Sequence, residues 1–303
     1  MNNKNIAIII VNYNGNADTF QCLESIDEKL SHSEIYHYDV FLVDNASSNP
    51  IINKELSCYN FNIHYIQSKE NLGFAGGNNI AIQYIKDRNL IYDYYFLLNN
   101  DTVIIDNSVD CLINKMEETG VEIGGLVNYY YDNPIELWQA GSHIRPSRLS
   151  GKLEIDFDQN SDGFIPVDAI PGSSMMINSD VINEIGLFDE RYFAYFEEVD
   201  FCVRAKARGF KVSFLPNTKI LHKVGRSSTS RLKHYLRSRN TLLFYSQNYR
   251  NHMIIAYLRV ILRTIKLIVK QNKGFGYIKP AIKGVMDYRA GRFCKGSMAM
   301  FLF

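Results

Sequence analysis

Short apolar runs alternate with longer amphipathic stretches through the first hundred residues. Ile6–Val11, Val40–Val43, Ile63–Ile66 and Tyr94–Leu98 read as buried strands, and the spans near 17–30 and 77–88 read as helices between them. This alternation predicts a parallel sheet with right-handed crossovers and both faces covered. Each apolar run stops on polar residues: Asn12-Tyr13-Asn14-Gly15, Asp44-Asn45-Ala46-Ser47, Asn71-Leu72-Gly73 and Asn99-Asn100-Asp101. In open α/β sheets ligands bind beyond the carboxyl ends of the strands. Neighbouring strands would therefore bring these four polar ends to one crevice.

The pattern is less regular further on. Residues 125–170, rich in Gly, Asn, Pro and Tyr, predict strands and loops over the crevice. Residues 197–209 predict a helix that starts acidic and stops at Gly209, and 211–216 a strand ended by Pro216. In 253–270, Arg259, Arg263, Lys266 and Lys270 recur at helical spacing on one face, and Ile and Leu fill much of the rest. A basic stripe against a broad apolar surface is the pattern of a helix lying in a membrane plane. Packing on the body of the protein or on another subunit, as in a homo-oligomer, accounts for the same pattern.

Composition sharpens this picture. With 46% apolar and 21% charged residues, the 303-residue chain is globular rather than disordered. Its net charge of +1 hides an asymmetry: eleven Lys or Arg and one acid lie between Arg250 and Lys295, leaving 22 bases and 31 acids elsewhere. An acidic body offers no footprint for nucleic acid, whereas the basic tail suits an anionic membrane surface. The expectation is a cytoplasmic protein held peripherally on the inner face of the cell membrane. The five cysteines are scattered without a CxxC pair, which predicts reduced thiols and neither a disulfide framework nor a zinc site. The N-terminal apolar run reads as a first strand, not a signal peptide. No stretch reaches the length of uncharged apolar residues that a spanning helix needs.

Candidate chemistry lies at the strand ends. "NLGFAGGNN" (71–79) is a Gly-rich turn opening a helix, where backbone amides can approach an anion; an ordinary tight turn explains it as well. Asp44 is placed either to accept hydrogen bonds from a ribose or to cap a turn. Asp101, at a strand end beside Asn99 and Asn100, is the best candidate to hold Mg²⁺ or Mn²⁺, which take oxygen ligands from one or two carboxylates and substrate phosphates. "YFEEVDFC" (195–202) crowds Glu197, Glu198 and Asp200 among aromatic residues, an environment that raises carboxyl pKa values and suits a general base. His222 follows a strand and suits a metal or a phosphate, as do Arg226, Ser227 and Ser228 for phosphate.

In order and spacing, "VNYNG", "DNAS", "NLGFAGGNN", "LNNDT", "GLFDERYFAYFEEVDFCVRAKARGF" and the His222 region resemble glycosyltransferase family 2, over about Ile6 to Ser228. These are inverting enzymes with a GT-A fold, and the likeness is to the bacterial rhamnosyltransferase-like branch that builds cell-surface polysaccharides. The resemblance implies an α/β GT-A catalytic domain over 1–228 and a helical, basic extension over 229–303. It implies that Val11, Tyr13 and Asp44 hold the nucleoside, helped by Asn71, Gly73, Gly76, Gly77, Asn78 and Asn100. Asp101 would bind the divalent cation with His222. Glu198 would be the base, with Asp200 its competitor, and Tyr195 and Glu197 would lie on the acceptor side. Two departures stand out. Asn99 replaces the first acid of the family's DXD motif, and Glu198 replaces the more usual Asp. The implied donor is dTDP-rhamnose or a UDP-sugar, and the implied acceptor a glycan on a polyprenyl diphosphate. The rival classes are a sugar nucleotidyltransferase and a non-catalytic sugar-nucleotide-binding module.

Overall fold

A computed structural model describes residues 4–149, 155–224, 230–269 and 275–293. The first four strands are β1 (Lys4–Asn12), β2 (Tyr36–Asp44), β3 (Asn62–Gln67) and β4 (Tyr94–Asn99). They pair in parallel in the order β3-β2-β1-β4. Side chains alternate across this sheet: Ile6, Ile8 and Ile10 enter one core, Ala7 and Ile9 the other. Helices α1 (Asn16–Leu30) and α3 (Ser108–Thr119) cover the first face, and α2 (Gly73–Asp87) covers the second. Strands β1 and β4, dry on both faces, read as unbroken apolar runs, and each fully buried Ile contributes about 1.5–3 kcal/mol. Ile63–Ile66, expected to be buried, is only partly so, because β3 is the edge of the sheet.

Beyond β4 the chain adds β5 (Thr102–Ile104), β6 (Ile123–Gly125), β7 (Asn128–Tyr130), β8 (Leu137–Gln139), β9 (Ile165–Pro166) and β10 (Ser174–Asn178). Strands β11 (Val212–Phe214) and β12 (Ile220–His222) complete the set. The main sheet continues as β4-β10-β6-β11-β9, with β10 antiparallel to both neighbours. A second sheet, β5-β12-β7-β8, stands at the end of the first. Helices α4 (Ser179–Ile185) and α5 (Glu197–Ala207) pack on the second face.

The expected boundary between 228 and 229 lies outside the described residues, as do Arg226, Ser227 and Ser228. Past it come α6 (Ser230–Asn248), α7 (Met253–Val269) and α8 (Ile278–Arg289). Helix α6 is anchored, not appended: Leu242, Phe244 and Tyr245 share a core with Tyr192, Phe196 and Val199 of the body.

Two expectations change. The second helix begins at Gly73, not near 77, so the Gly-rich stretch is its first turn and not a loop. The basic stripe of α7 does not face outward as one strip. Arg259 donates to the carbonyls of Arg145 and Arg148, and Arg263 to that of Arg237. Each guanidinium thus spends its donors on backbone carbonyls of the body instead of on solvent. Lys266 is exposed, and Lys270 lies outside the described residues.

Helix α8 meets α6 at Gly284, where a Cβ would stand 2.8 Å from the Tyr235 carbonyl oxygen and 3.0 Å from the Arg239 amide. Beside it Asp287, fully buried, accepts from Tyr235 at 2.8 Å, from Arg292 at 3.0 Å and from Lys283. Gly284→Ala must wedge these backbones apart. We expect a loss of about 1–3 kcal/mol, read as a lower urea midpoint.

Candidate active site

The register puts the strand ends side by side: Asn12 pairs with Asp44, Asp44 with Gln67, and Val11 with Asn99. The polar strand ends are therefore neighbours, and Asn12 ties them together. Its Nδ2 donates to Asn16 at 2.9 Å and to Asp44 at 3.3 Å, while its Oδ1 accepts from the Gly15 amide at 3.0 Å and Thr19 at 3.1 Å. Asn100 donates to Thr19 at 3.0 Å and so ties the end of β4 to the start of α1. Asp44 is fully buried and accepts from the Ser47 amide at 2.9 Å. Tyr13 points out, 42% exposed, beside the partly buried Val11.

The second polar end is bridged by Asn45. It donates to Asn71 Oδ1 at 3.2 Å and to the Gly73 carbonyl at 3.0 Å, and accepts from the Leu72 amide at 2.9 Å. Gly73 has φ +71°, and a Cβ there would lie 2.2 Å from the Phe193 carbonyl oxygen. No other residue fits both demands. Gly76 and Gly77 are filled by packing, against Leu72 and Val11, and Asn78 donates to the Phe74 carbonyl. Within this stretch Gly73 and the Ala75 amide seat the 193–196 turn.

Asp101 stands in the turn between β4 and β5, and His222 ends β12, the strand that pairs with β5 in the second sheet. Thr102 pairs with His222 across β5 and β12, which sets His222 Nε2 3.0 Å from Asp101 Oδ1. Both are buried, Asn99 Nδ2 lies 3.4 Å from the same ring nitrogen, and Trp138 meets the imidazole edge-on at 4.4 Å. His222 Nδ1 is buried without a hydrogen-bond partner. One carboxylate and one imidazole, closely set, fit a cation that takes its remaining ligands from phosphate and water. Among the described residues no cluster of three or more His, Cys, Asp or Glu is found, so a cation here would depend on the substrate. Two neighbours, the buried Lys223 and the half-buried Asp18, escaped the sequence reading. The Lys223 amide donates to the Asp101 carbonyl at 2.9 Å, and its ammonium pairs with Asp18 at 2.6 Å over the Tyr131 ring.

The acidic turn is strained. Phe193, Tyr195 and Phe196 all have positive φ, at 65°, 70° and 82°. Bulky aromatic residues pay about 1–3 kcal/mol each for that conformation and keep it only when neighbours enforce it. Helix α6 does so. Asn240 Nδ2 donates to the carbonyls of Tyr192 and Ala194 at 2.9 Å and of Tyr195 at 2.7 Å. Arg239, also fully buried, donates to the Asn240 oxygen at 3.0 Å, which fixes the amide orientation, and to the Arg191 and Tyr192 carbonyls at 2.9 Å. Nothing in the sequence of a mid-helix Arg-Asn pair signals this task.

The turn delivers three acids to different surroundings. Asp200 accepts from Arg204 at 2.8 Å, Asn248 at 3.0 Å and Tyr192 at 3.3 Å and is committed to holding α5 and α6. Glu197 is buried with Oε2 unpartnered. Burial, then the Glu198 carboxylate, holds the Glu197 carboxyl well above its usual range. Glu198 is half-buried, its Cβ facing Gly172. The next residue, Ser173, accepts from the Asn99 amide at 3.1 Å, so Glu198 stands beside the end of β4. Tyr195 is half-buried in the same turn. Burial pushes the Cys22 and Cys202 thiols up to about 12, which removes them as nucleophiles.

Comparison with known proteins places this geometry. The model of glycosyl transferase family 2 matches residues 7–186. The chain is 29% identical over 297 residues to the low-salt glycan biosynthesis hexosyltransferase Agl10 of Haloferax volcanii, covering 93% of this chain and 90% of that one. It is 23% identical to the dTDP-rhamnosyl transferase RfbF of Shigella flexneri, covering 94% and 95%. Among solved structures it resembles the mannosyltransferase PcManGT from Pyrobaculum calidifontis in complex with GDP-Man and Mn²⁺, with TM-score 0.58 at 13% identity over 99% of this chain and 83% of that one. It also resembles GalNAc-T7 with UDP, GalNAc and Mn²⁺, with TM-score 0.60 at 14% identity, covering 88% of this chain and 58% of that one. The fold is GT-A with a helical C-terminal region.

Two outcomes follow from the turn. Asn240→Asp places an acceptor against three carbonyls; kcat should fall by about 10²-fold while the KM for donor moves little, because the turn and not the nucleotide pocket is displaced. An unchanged kcat in a folded variant would show that the clamp is dispensable. Glu197→Gln tests the buried carboxyl. Since the folded-state pKa is raised, the wild type loses stability as pH rises above the unfolded value near 4.5. The variant should melt higher than wild type by at least about 2 °C at pH 8, with the gap closing toward pH 4.

Proposed function

This chain belongs to glycosyltransferase family 2, and from that premise we propose an inverting, cation-assisted hexosyl transfer onto a growing cell-surface polysaccharide. The donor is a nucleoside diphosphate sugar, dTDP-rhamnose first and a UDP-sugar second. The acceptor is a hydroxyl of a glycan carried on a polyprenyl diphosphate. The likeness to a dTDP-rhamnosyl transferase and to a hexosyltransferase of glycan biosynthesis supports both choices.

The observation that carries the reading is the meeting of two acidic poles at the end of β4. On one side Asp101 faces His222 at 3.0 Å; on the other, Glu198 abuts Gly172, beside the residue that pairs with Asn99. A divalent cation between Asp101 and His222 would neutralise charge on the departing diphosphate. Asn12, Asp44 and Asn100 hold the strand ends that seat the nucleoside. Glu198 takes the proton of the acceptor hydroxyl as its oxygen bonds to the anomeric carbon. The bond to the diphosphate breaks on the opposite face, and the leaving group keeps the electron pair. One displacement inverts the anomeric centre. Glu197, buried behind Glu198, lies on the acceptor side in this reading, and Tyr195 borders the same side. Asp200 is spent on Arg204, Asn248 and Tyr192, which favours Glu198 as the base.

The test is a donor panel with a glycan acceptor, read as nucleoside diphosphate release and as the anomeric configuration of the product. Pyrophosphate chemistry would mark a nucleotidyltransferase, and binding without turnover a sugar-nucleotide-binding module. Glu198→Gln should lose about 10²–10⁴ in rate with donor affinity kept, and Asp101→Ala or excess EDTA should depress turnover. If folded Asp200→Asn is dead and Glu198→Gln is active, the base is Asp200.

A further inference from the structure

Helix α7 is built inside out. Its large apolar residues Ile254, Leu258, Ile261, Leu262, Ile265 and Val269 recur at helical spacing on the solvent side, and Ile254 and Val269 are 77% and 70% exposed. The side that meets the body carries Ala256, Val260 and Thr264, with Arg259 and Arg263 turned in to backbone carbonyls. A surface helix of a soluble protein shows the opposite arrangement. The next segment repeats it: Phe275, Ile278, Ile282 and Met286 are exposed, while Pro280, Ala281 and Gly284 are buried.

Charge says what covers this face. Between Arg250 and Phe293 the one acid is Asp287, fully buried and paired with Lys283, Arg292 and Tyr235. The exposed charges on α7 and α8 are therefore positive: Lys266, Lys279 and Arg289. A second copy docked on this face would set these bases against their own kind. An anionic leaflet would satisfy them, each base contributing about 1 kcal/mol near the surface, and would take up the apolar ridge, roughly 25 Å long. No described helix is long and apolar enough to cross a membrane.

We propose that the outer face of α7 and α8 is a docking surface for an anionic lipid bilayer, with the helices lying in its plane. Such docking is independent of which sugar is moved, and vesicle binding can fail while transfer to a soluble acceptor succeeds.

The experiment uses the full chain with phosphatidylcholine vesicles that contain or lack phosphatidylglycerol. Wild type should co-sediment with the anionic vesicles and weaken as salt rises. Leu258→Gln/Ile261→Gln/Ile265→Gln, all at exposed positions, should lose at least about tenfold in partition and keep its rate on a soluble acceptor. Lys266→Glu/Lys279→Glu should lose the preference for phosphatidylglycerol. Equal partition of wild type and the triple variant overturns the proposal. So does indifference to phosphatidylglycerol at low salt. A wild-type dimer that the triple variant splits, without vesicle binding, assigns the face to a second copy instead.

Discussion

One buried amide, Asn12, holds the site together. It sits at the last position of β1 and reaches α1, the end of β2 and the turn after β4 within a single hydrogen-bond shell. A buried amide left half-satisfied costs about as much as the bonds it forfeits. The four segments therefore cannot drift independently, and the polar side chains at the paired strand ends keep fixed orientations. The Asp101–His222 pair and the acidic turn are both referred to this frame, Asp101 through β4 and Glu198 through the Gly172–Ser173 bend.

A second set of polar contacts acts on backbone rather than side chains. The turn at 193–196 would relax if its carbonyls were free, since three of its residues occupy a region that L side chains avoid. Asn240 and Arg239 hold it from one side, and the Ala75 amide accepts its place from the other, donating to the Phe193 carbonyl at 3.2 Å. The stored strain is a reason for Glu197 and Glu198 to emerge at a fixed angle at the very start of α5.

Much of this was legible beforehand. Strands buried on both faces write themselves as unbroken apolar runs, so β1, β2 and β4 and their polar ends were readable; β3, a half-exposed edge, was readable as a strand but not as an edge. Asp101 and His222 were singled out separately, and the antiparallel pairing of β5 with β12, invisible in sequence, is what brings them together. Other features resisted for physical reasons. Gly73 read as room for a ligand, but its neighbour is a carbonyl from a segment 120 residues away. Arg239 and Asn240 look like ordinary helix residues because their partners lie more than 40 positions off. The spacing in α7 put its arginines on one face without saying which way that face turns; the carbonyls at 145, 148 and 237 that receive them are set by the tertiary packing.

The clamp also imposes an order of events on synthesis. A chain emerging from the ribosome completes the main sheet, Asp101 and His222 before residue 240 exists. Until α6 arrives, the strained aromatic turn has no partner for its carbonyls and no reason to hold its shape. The nascent protein thus has its polar strand ends before the acidic turn has a seat. That seat comes from the last quarter of the chain, so the angle at which Glu197 and Glu198 open α5 is fixed only when synthesis is nearly done.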